Sequence, residues 1–100
     1  MFDDIAQSEI KEDPNQVIHW VLLGSYGYFI GKPILTDKTY DEFSDKLKKE
    51  WDSLEHSWKT CIHKDFVSLE KASTLVVSPP YPYEIAKEAN HLIRQIYGEY

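Results

Sequence analysis

Four side chains suited to recognising a small ligand lie within one short stretch of the chain. Tyr28 stands at the end of one predicted helix, and Asp37, Tyr40 and Asp41 stand in the first turn of the next. Because positions three and four apart share one side of a helix, the last three crowd together across the turn from the first. Two aromatic rings can sandwich a planar heterocycle, and carboxylates can accept hydrogen bonds from ribose hydroxyls. The same pattern also fits a helical hairpin in which these residues only cap and staple.

A second cluster of aromatic and charged side chains follows further along the chain. It consists of Trp51, His56, Trp58 and Lys59. Exposed aromatic and cationic side chains often anchor interfaces, so the cluster predicts a surface that binds a protein partner. The alternative is a helix C-terminus, where the histidine and lysine interact favourably with the dipole and Trp51 packs inward. If the helix continues to His56, then Asp52 lies one turn before it and within hydrogen-bonding reach.

The residue types that perform catalysis or bind metals lack the necessary spacing. The single cysteine, Cys61, stands near His56 and His63 without a motif that would activate its thiol. The histidines and this cysteine match no zinc-binding spacing. We therefore expect no metal site and no enzyme activity. A lone cysteine also excludes an intramolecular disulfide and fits a reducing compartment.

Three glycines, Gly24, Gly27 and Gly31, recur at three- and four-residue spacing along one side of the first hairpin helix. They match no glycine-rich phosphate-binding loop. Two interpretations remain. Either another part of the chain packs closely against this strip, or the strip leaves a gap through which a planar ligand approaches the helix backbone.

The hydrophobic pattern predicts a mostly α-helical fold. Helices over 14–30 and 36–56 form an antiparallel hairpin, and a C-terminal helix over 82–97 packs across it. Thr36 is the predicted N-cap of the second helix. Between the hairpin and the last helix, the apolar run at 74–78 predicts one short extended segment or strand.

The chain divides into an acidic N-terminal segment, 1–13, and a single domain, 14–100. In the segment, Phe2, Ile5 and Ile10 can form one weak helical turn that docks on the domain, or the segment can fray. No apolar run approaches the roughly 18 residues that span a bilayer, and the N-terminus is acidic where a signal peptide is basic. We expect a cytoplasmic protein that does not bind membranes.

The charge balance bears on the kind of partner. The chain carries 17 acidic and 11 basic residues, for a net charge of −6. Nucleic-acid binding depends on clustered cationic side chains, so direct binding to DNA or RNA is not expected. The acidity either serves solubility or provides a surface for a basic protein.

The chain contains Pro33, followed by Thr36-Asp37-Lys38-Thr39-Tyr40-Asp41 and then by a charged amphipathic helix. This pattern resembles the N-terminal subdomain of NAD-dependent DNA ligases. The resemblance covers residues 15–57. In that family the subdomain closes over the nicotinamide mononucleotide half of NAD. The resemblance therefore implies that the four residues of the first cluster surround a nicotinamide nucleotide. Gly27 and Gly31 depart from the pattern, because ligases commonly keep a tyrosine and an acid there.

The resemblance leaves two functions open. The KxDG lysine motif of the ligases is absent, which excludes ligase activity. Small freestanding proteins that resemble this subdomain are familiar from bacteriophages. The first expectation is a non-catalytic phage-type accessory protein that binds and modulates a host bacterial protein in the host cytoplasm. The alternative is a binding module for NAD or nicotinamide mononucleotide, alone or as part of a split ligase. On that alternative the nucleotide is a candidate cofactor, and the sequence establishes no cofactor by itself.

Overall fold

The predicted helical fold is confirmed. A computed structural model describes residues 1–56, 58–59 and 83–98, and within them the regular structure is helical, with no strand. The expected extended segment at 74–78 lies outside the described residues. The elements are α1 (Asp3–Glu12), α2 (Gln16–Phe29), α3 (Asp37–Lys49), a short 3₁₀ turn (Trp51–Ser53) and α4 (Tyr83–Tyr97).

α2 is the central element of the core, since α1, α3 and α4 all pack against it. Its apolar residues occupy most of its circumference instead of one stripe, so it must be covered from several sides. Its buried apolar side chains are Val17, Ile18, Trp20, Val21, Leu22 and Leu23. The other three helices are amphipathic and each contributes one apolar face to this helix.

The hairpin of α2 and α3 forms as the sequence predicts, with shorter helices. α2 starts at Gln16, because Asp13 accepts a hydrogen bond from the amide of Asn15 at 3.1 Å and holds a turn before the helix. Thr36 caps α3 as predicted, and its hydroxyl accepts from the amide of Thr39 at 3.3 Å.

α3 ends at Lys49, which corrects the predicted end at residue 56. The amide and the hydroxyl of Ser53 both donate to the carbonyl of Glu50, at 3.0 and 2.9 Å, and tighten the chain into the 3₁₀ turn. The chain then extends, burying Leu54, and the amide of Glu55 donates to the side chain of Asn15 at 2.9 Å. These bonds hold the chain near the start of α2 and prevent helical continuation.

The N-terminal segment forms a ten-residue helix, where the sequence predicted one weak turn at most. α1 docks on the rest of the fold through Ala6 and Ile10, both buried, whereas Ile5 is 54% exposed. The amide of Phe2 also donates to the carbonyl of Ile34 at 2.9 Å. The prediction missed Ala6 because alanine carries little weight in a hydrophobic pattern, although its small side chain allows close helix packing.

α4 runs alongside α2 in the same direction. Ile85, Ala89 and Ile93 recur every four residues and are fully buried. Polar contacts between the two segments follow in register: Glu88 with His19 at 2.6 Å, Asn90 with Tyr26 at 3.4 Å, and Tyr97 with the carbonyl of Pro33 at 2.7 Å. None of the helices described here is long and apolar enough to cross a membrane.

The glycine strip brings chain segments together. A Cβ atom on Gly24 would lie 2.8 Å from the ring of Tyr40, and one on Gly27 would lie 2.8 Å from the carbonyl oxygen of Lys32. Gly31 has a φ of +77° and turns the chain after α2. The interpretation of the strip as a packing surface holds at Gly24 and Gly27. The interpretation as a gap for a ligand is wrong at both positions, because protein atoms fill the space.

Replacing Gly27 with alanine should destabilise the fold. The new methyl group would meet a backbone carbonyl that is itself held by the turn, so the hairpin must open slightly, at a cost of about 2 kcal/mol. Urea unfolding followed by circular dichroism measures this. Ser8→Ala, on the exposed side of α1, is the control and should change stability by less than about 0.5 kcal/mol. A Gly27→Ala variant as stable as the parent protein would show that the helix propensity of alanine outweighs the crowding.

Candidate functional site

The four residues of the first cluster line one cavity in the structure. Tyr28, Asp37, Tyr40 and Asp41 line an open pocket of about 300 Å³ between the end of α2 and the start of α3. The carboxylates of Asp37 and Asp41 are exposed to solvent. This volume lies at the lower end of the range for small-molecule pockets. We call it the hairpin pocket. Every residue that the sequence singled out for ligand binding therefore lies around the same space.

A short hydrogen bond joins the two sides of the hairpin pocket. The hydroxyl of Tyr28 donates to Asp37 at 2.5 Å and also lies 3.4 Å from the carbonyl oxygen of Leu35. Burial raises the pKa of Tyr28 above its ordinary value, and the hydrogen bond to Asp37 and the carboxylate charges raise it further. The phenol consequently stays protonated and keeps donating at neutral pH. The bond fixes the position of the Asp37 carboxylate in the pocket.

The two tyrosine rings of the pocket pack against each other. The centroids of Tyr28 and Tyr40 are 4.9 Å apart, and their planes are inclined at 65°. A planar ligand between two parallel rings would need them about 7 Å apart, twice the van der Waals contact distance. The expected aromatic sandwich is therefore wrong. The rings instead form a single aromatic wall, and Tyr40, which is 5% exposed, is pressed against Gly24 behind it.

α1 holds the start of α3 in place, next to the pocket. The carboxylate of Asp3 accepts from the amide and the hydroxyl of Thr36, at 3.0 and 2.7 Å. Partial burial opposes ionisation of Asp3, but the hydrogen bonds from Thr36, the contact with Thr39 and the N-terminal charge outweigh it and hold its pKa below the usual value. Since Thr36 directly precedes Asp37, this contact helps to orient the pocket.

Asp3→Asn should lower stability at neutral pH by about 1 kcal/mol, because charge-assisted hydrogen bonds to Thr36 are weakened. The folded pKa of Asp3 is depressed, so its contribution is complete above the unfolded value of 3.8 and disappears as the pH falls through the folded value. The difference between parent and variant in urea unfolding should therefore shrink below pH 3.8. Asp4→Asn, an exposed neighbour in the same turn, is the control. A pH-independent difference would contradict the charge argument.

The second cluster is assembled too, but as a half-buried group. The ammonium of Lys59 lies 4.8 Å from the ring centroid of Trp51 and donates to the carbonyl oxygens of Trp51 and Leu54, at 2.5 and 3.0 Å. Trp51, His56, Trp58 and Lys59 are each partly exposed. The lysine thus bonds carbonyl oxygens in and just after the 3₁₀ turn, and not those of a helix C-terminus, because α3 ends at Lys49. The expected pairing of Asp52 with His56 along one helix does not arise, because α3 has already ended.

His56 is held in its neutral form by its surroundings. Burial lowers the pKa of His56, and the nearby charge of His19 lowers it further, while Asp13 opposes the shift. Its Nδ1 atom accepts a hydrogen bond from the amide of Trp58 at 3.1 Å, and the two rings lie 5.2 Å apart. This histidine is therefore placed to pack against Trp58 and to accept a hydrogen bond.

His19 belongs to the same cluster, and the sequence analysis missed it. Its ring lies 5.4 Å from Trp58 and 6.2 Å from His56. Its Nδ1 atom lies 3.2 Å from the side-chain oxygen of Gln16. Its Nε2 atom lies 2.6 Å from a carboxylate oxygen of Glu88. These two contacts hold the imidazole ring between α2 and α4. Helical spacing predicts the contact with Gln16, but no local pattern predicts a partner on α4.

A metal site finds no support in the part of the chain that the structure describes. There, no group of three or more potential ligands among histidine, cysteine, aspartate and glutamate could hold an ion. The sequence motif that came nearest, Cys61 with His63, lies outside the described residues. The two clusters offer hydrogen-bonding groups, charge and aromatic surface.

No family model, curated protein or solved structure matches this chain. The resemblance to the ligase subdomain stays a prediction that rests on the residues between 15 and 57. What the structure adds is geometric. It shows that the start of α3, which carries part of the resemblance, forms one side of the hairpin pocket.

Proposed function

We propose that this protein is a non-catalytic binding module whose hairpin pocket holds nicotinamide mononucleotide or the equivalent half of NAD. One observation carries the proposal. The four residues to which the ligase resemblance assigns the nucleotide, Tyr28, Asp37, Tyr40 and Asp41, line a single cavity of about 300 Å³. The assignment came from residue types and spacing, and the cavity is an independent geometric property of the folded chain.

The chemistry of the lining suits the ring and the sugar of such a ligand. Asp37 and Asp41 supply acceptors for ribose hydroxyls, and the aromatic wall supplies a flat apolar surface for the nicotinamide ring. None of the described lining residues is basic. The phosphate of the nucleotide would therefore extend away from the pocket into solvent, where its charge is hydrated.

The two departures from the ligase pattern lower the expected affinity without closing the pocket. Gly27 has no room for a side chain because the carbonyl oxygen of Lys32 covers it, and Gly31 adopts a left-handed conformation that favours glycine. The fold therefore favours glycine at both positions, and the contacts that a tyrosine and an acid would make are missing. We expect weak binding, with a dissociation constant in the millimolar range, which corresponds to about 4 kcal/mol of binding free energy.

An NMR titration of the ¹⁵N-labelled protein with nicotinamide mononucleotide and with NAD tests this proposal. Amide shifts should concentrate in residues 26–41, and Asp41→Ala should weaken binding by about 1 kcal/mol through loss of an acceptor. Asp45→Ala, one turn further along α3 and outside the pocket lining, should bind like the parent. Absence of shifts at millimolar nucleotide would reject the proposed ligand.

A second candidate function, binding and modulating a protein of a bacterial host, is favoured by the second cluster. Lys59 lies over the ring of Trp51, and His56 packs beside Trp58. Each of these four side chains keeps part of its surface exposed. Half-buried tryptophans held rigidly by their neighbours lose little entropy when a partner covers them, which is typical of interface anchors. The net charge of −6 favours a basic partner. On this interpretation the chain is a phage-type accessory protein acting in the host cytoplasm.

Affinity capture from bacterial lysate with a matched pair of variants tests the second candidate. Trp58→Ala should lose a partner that the parent protein retains in stoichiometric amount. Tyr83→Ala, which removes an aromatic ring that is 74% exposed on α4, should retain it. Circular dichroism establishes that both variants are folded. Recovery of no stoichiometric protein, or equal capture by both variants, would count against this function.

A further inference from the structure

One hydrogen bond in the second cluster depends on the protonation state of a histidine. The backbone amide of Trp58 donates to Nδ1 of His56 at 3.1 Å. A backbone amide is only a donor, so Nδ1 carries no proton and the single proton of the neutral ring is on Nε2. A proton added at Nδ1 would turn the acceptor into a donor that faces another donor. The imidazolium form of His56 therefore cannot keep this bond.

The groups packed around His56 from other elements carry charges of both signs. The ring centroid of His19, on α2, lies 6.2 Å from that of His56. Burial lowers the pKa of His56, the charge of His19 lowers it further, and the carboxylate of Asp13 opposes the shift. On α4, Glu88 approaches the cluster through Nε2 of His19, at 2.6 Å. The balance favours the neutral ring, which is the form that the amide bond requires.

The charged neighbours of His56 on its own segment are engaged or exposed. Glu55 is exposed, and the ammonium of Lys59 donates to two backbone carbonyl oxygens. The ring of Trp58 lies 5.2 Å from that of His56 and 5.4 Å from that of His19. An aromatic ring can pack against a neutral or a cationic imidazole, so these ring contacts do not distinguish the two forms of His56. The bond from the amide of Trp58 does.

We infer that acidification releases the backbone of Trp58 from the second cluster, because His56 cannot carry a proton on Nδ1 and accept the amide of Trp58 at once. At neutral pH the bond is formed and fixes the backbone at this position. Protonation breaks it and leaves the ring contacts to hold the tryptophan. The inference goes beyond nucleotide binding and does not involve the hairpin pocket.

This release regulates the surface that the second candidate function assigns to a protein partner, a consequence that rests on that function. Trp58 is partly exposed, so a partner can reach it. A tryptophan whose backbone is already fixed loses less entropy on binding than a mobile one. Loss of the bond at acidic pH therefore weakens the complex with the partner.

NMR of the ¹⁵N-labelled full chain from about pH 8 to about pH 5 tests the inference without any partner. The amide resonance of Trp58 should shift with the same midpoint as the imidazole of His56. That midpoint should lie below 6.5, because the pKa of His56 is lowered from this value. The protection factor of the Trp58 amide against hydrogen exchange should fall about fivefold through the transition, since one hydrogen bond contributes a factor of about five.

Variants of two histidines connect the response to the bond. His56→Asn keeps an acceptor, because an asparagine oxygen can accept from the amide two residues onward and does not titrate in this range. Its Trp58 amide should stay protected at every pH. His56→Ala removes the acceptor and should leave that amide unprotected throughout. His91→Asn removes an exposed histidine from α4 and should leave the pH response of the parent unchanged.

The pH dependence of a captured complex tests the consequence for binding. A partner captured at neutral pH should be lost from the parent protein on acidification, and His56→Asn should retain it. Equal release from both proteins overturns the regulation of binding, while the NMR measurements still decide the fate of the bond. Absence of any stoichiometric partner at neutral pH counts against the second candidate function and leaves the NMR result standing by itself.

Three NMR outcomes overturn the inference itself. The first is an unchanged protection factor at Trp58 while His56 titrates. The second is a pH response of the Trp58 amide that persists in His56→Asn. The third is a His56 ring that remains neutral down to about pH 5.

Discussion

The structure depends on how closely the chain approaches α2 where α2 ends. Gly27 lies so near the following turn that even a methyl group would collide with the carbonyl oxygen of Lys32, and the amide of Lys32 donates to the carbonyl of Gly27 at 2.8 Å. One turn earlier, Gly24 lets the ring of Tyr40 lie against the helix backbone. These two approaches determine the separation of α2 and α3. That separation in turn brings Tyr28 within hydrogen-bonding distance of Asp37.

The remaining helices support the hairpin from both sides. α1 is anchored to the cap of α3 by Asp3, and α4 follows α2 and reaches the hairpin turn through the hydroxyl of Tyr97. Asp3 and Tyr97 make their polar contacts at the ends of helices, where backbone groups lack helical partners. His19 and Glu88 meet further along their helices, and the apolar contacts cover α2. Charge and burial thus serve different purposes. Burial determines which helices pack together, and the charged contacts determine where their ends lie.

Much of this arrangement follows from local sequence rules, and the exceptions have physical causes. The cap at Thr36 and the grouping of the four pocket residues depend on spacing within a few turns of helix, which the sequence displays directly. The end of α3 was predicted too late, because the tie between Glu55 and Asn15 spans forty positions. The contact of His19 with Glu88 was missed for the same reason. Ring orientation was wrong, since spacing places Tyr28 and Tyr40 together without determining their mutual angle.

The closeness in sequence of the pocket residues has a consequence for how the site arises. All four lie between Tyr28 and Asp41, so enclosing the cavity requires the chain to close only one short loop. The entropy lost in loop closure rises with loop length, and short-range contacts form on faster timescales than long-range ones. Closing the hairpin pocket therefore costs less chain entropy than forming the contact between His19 and Glu88, which lie 69 positions apart.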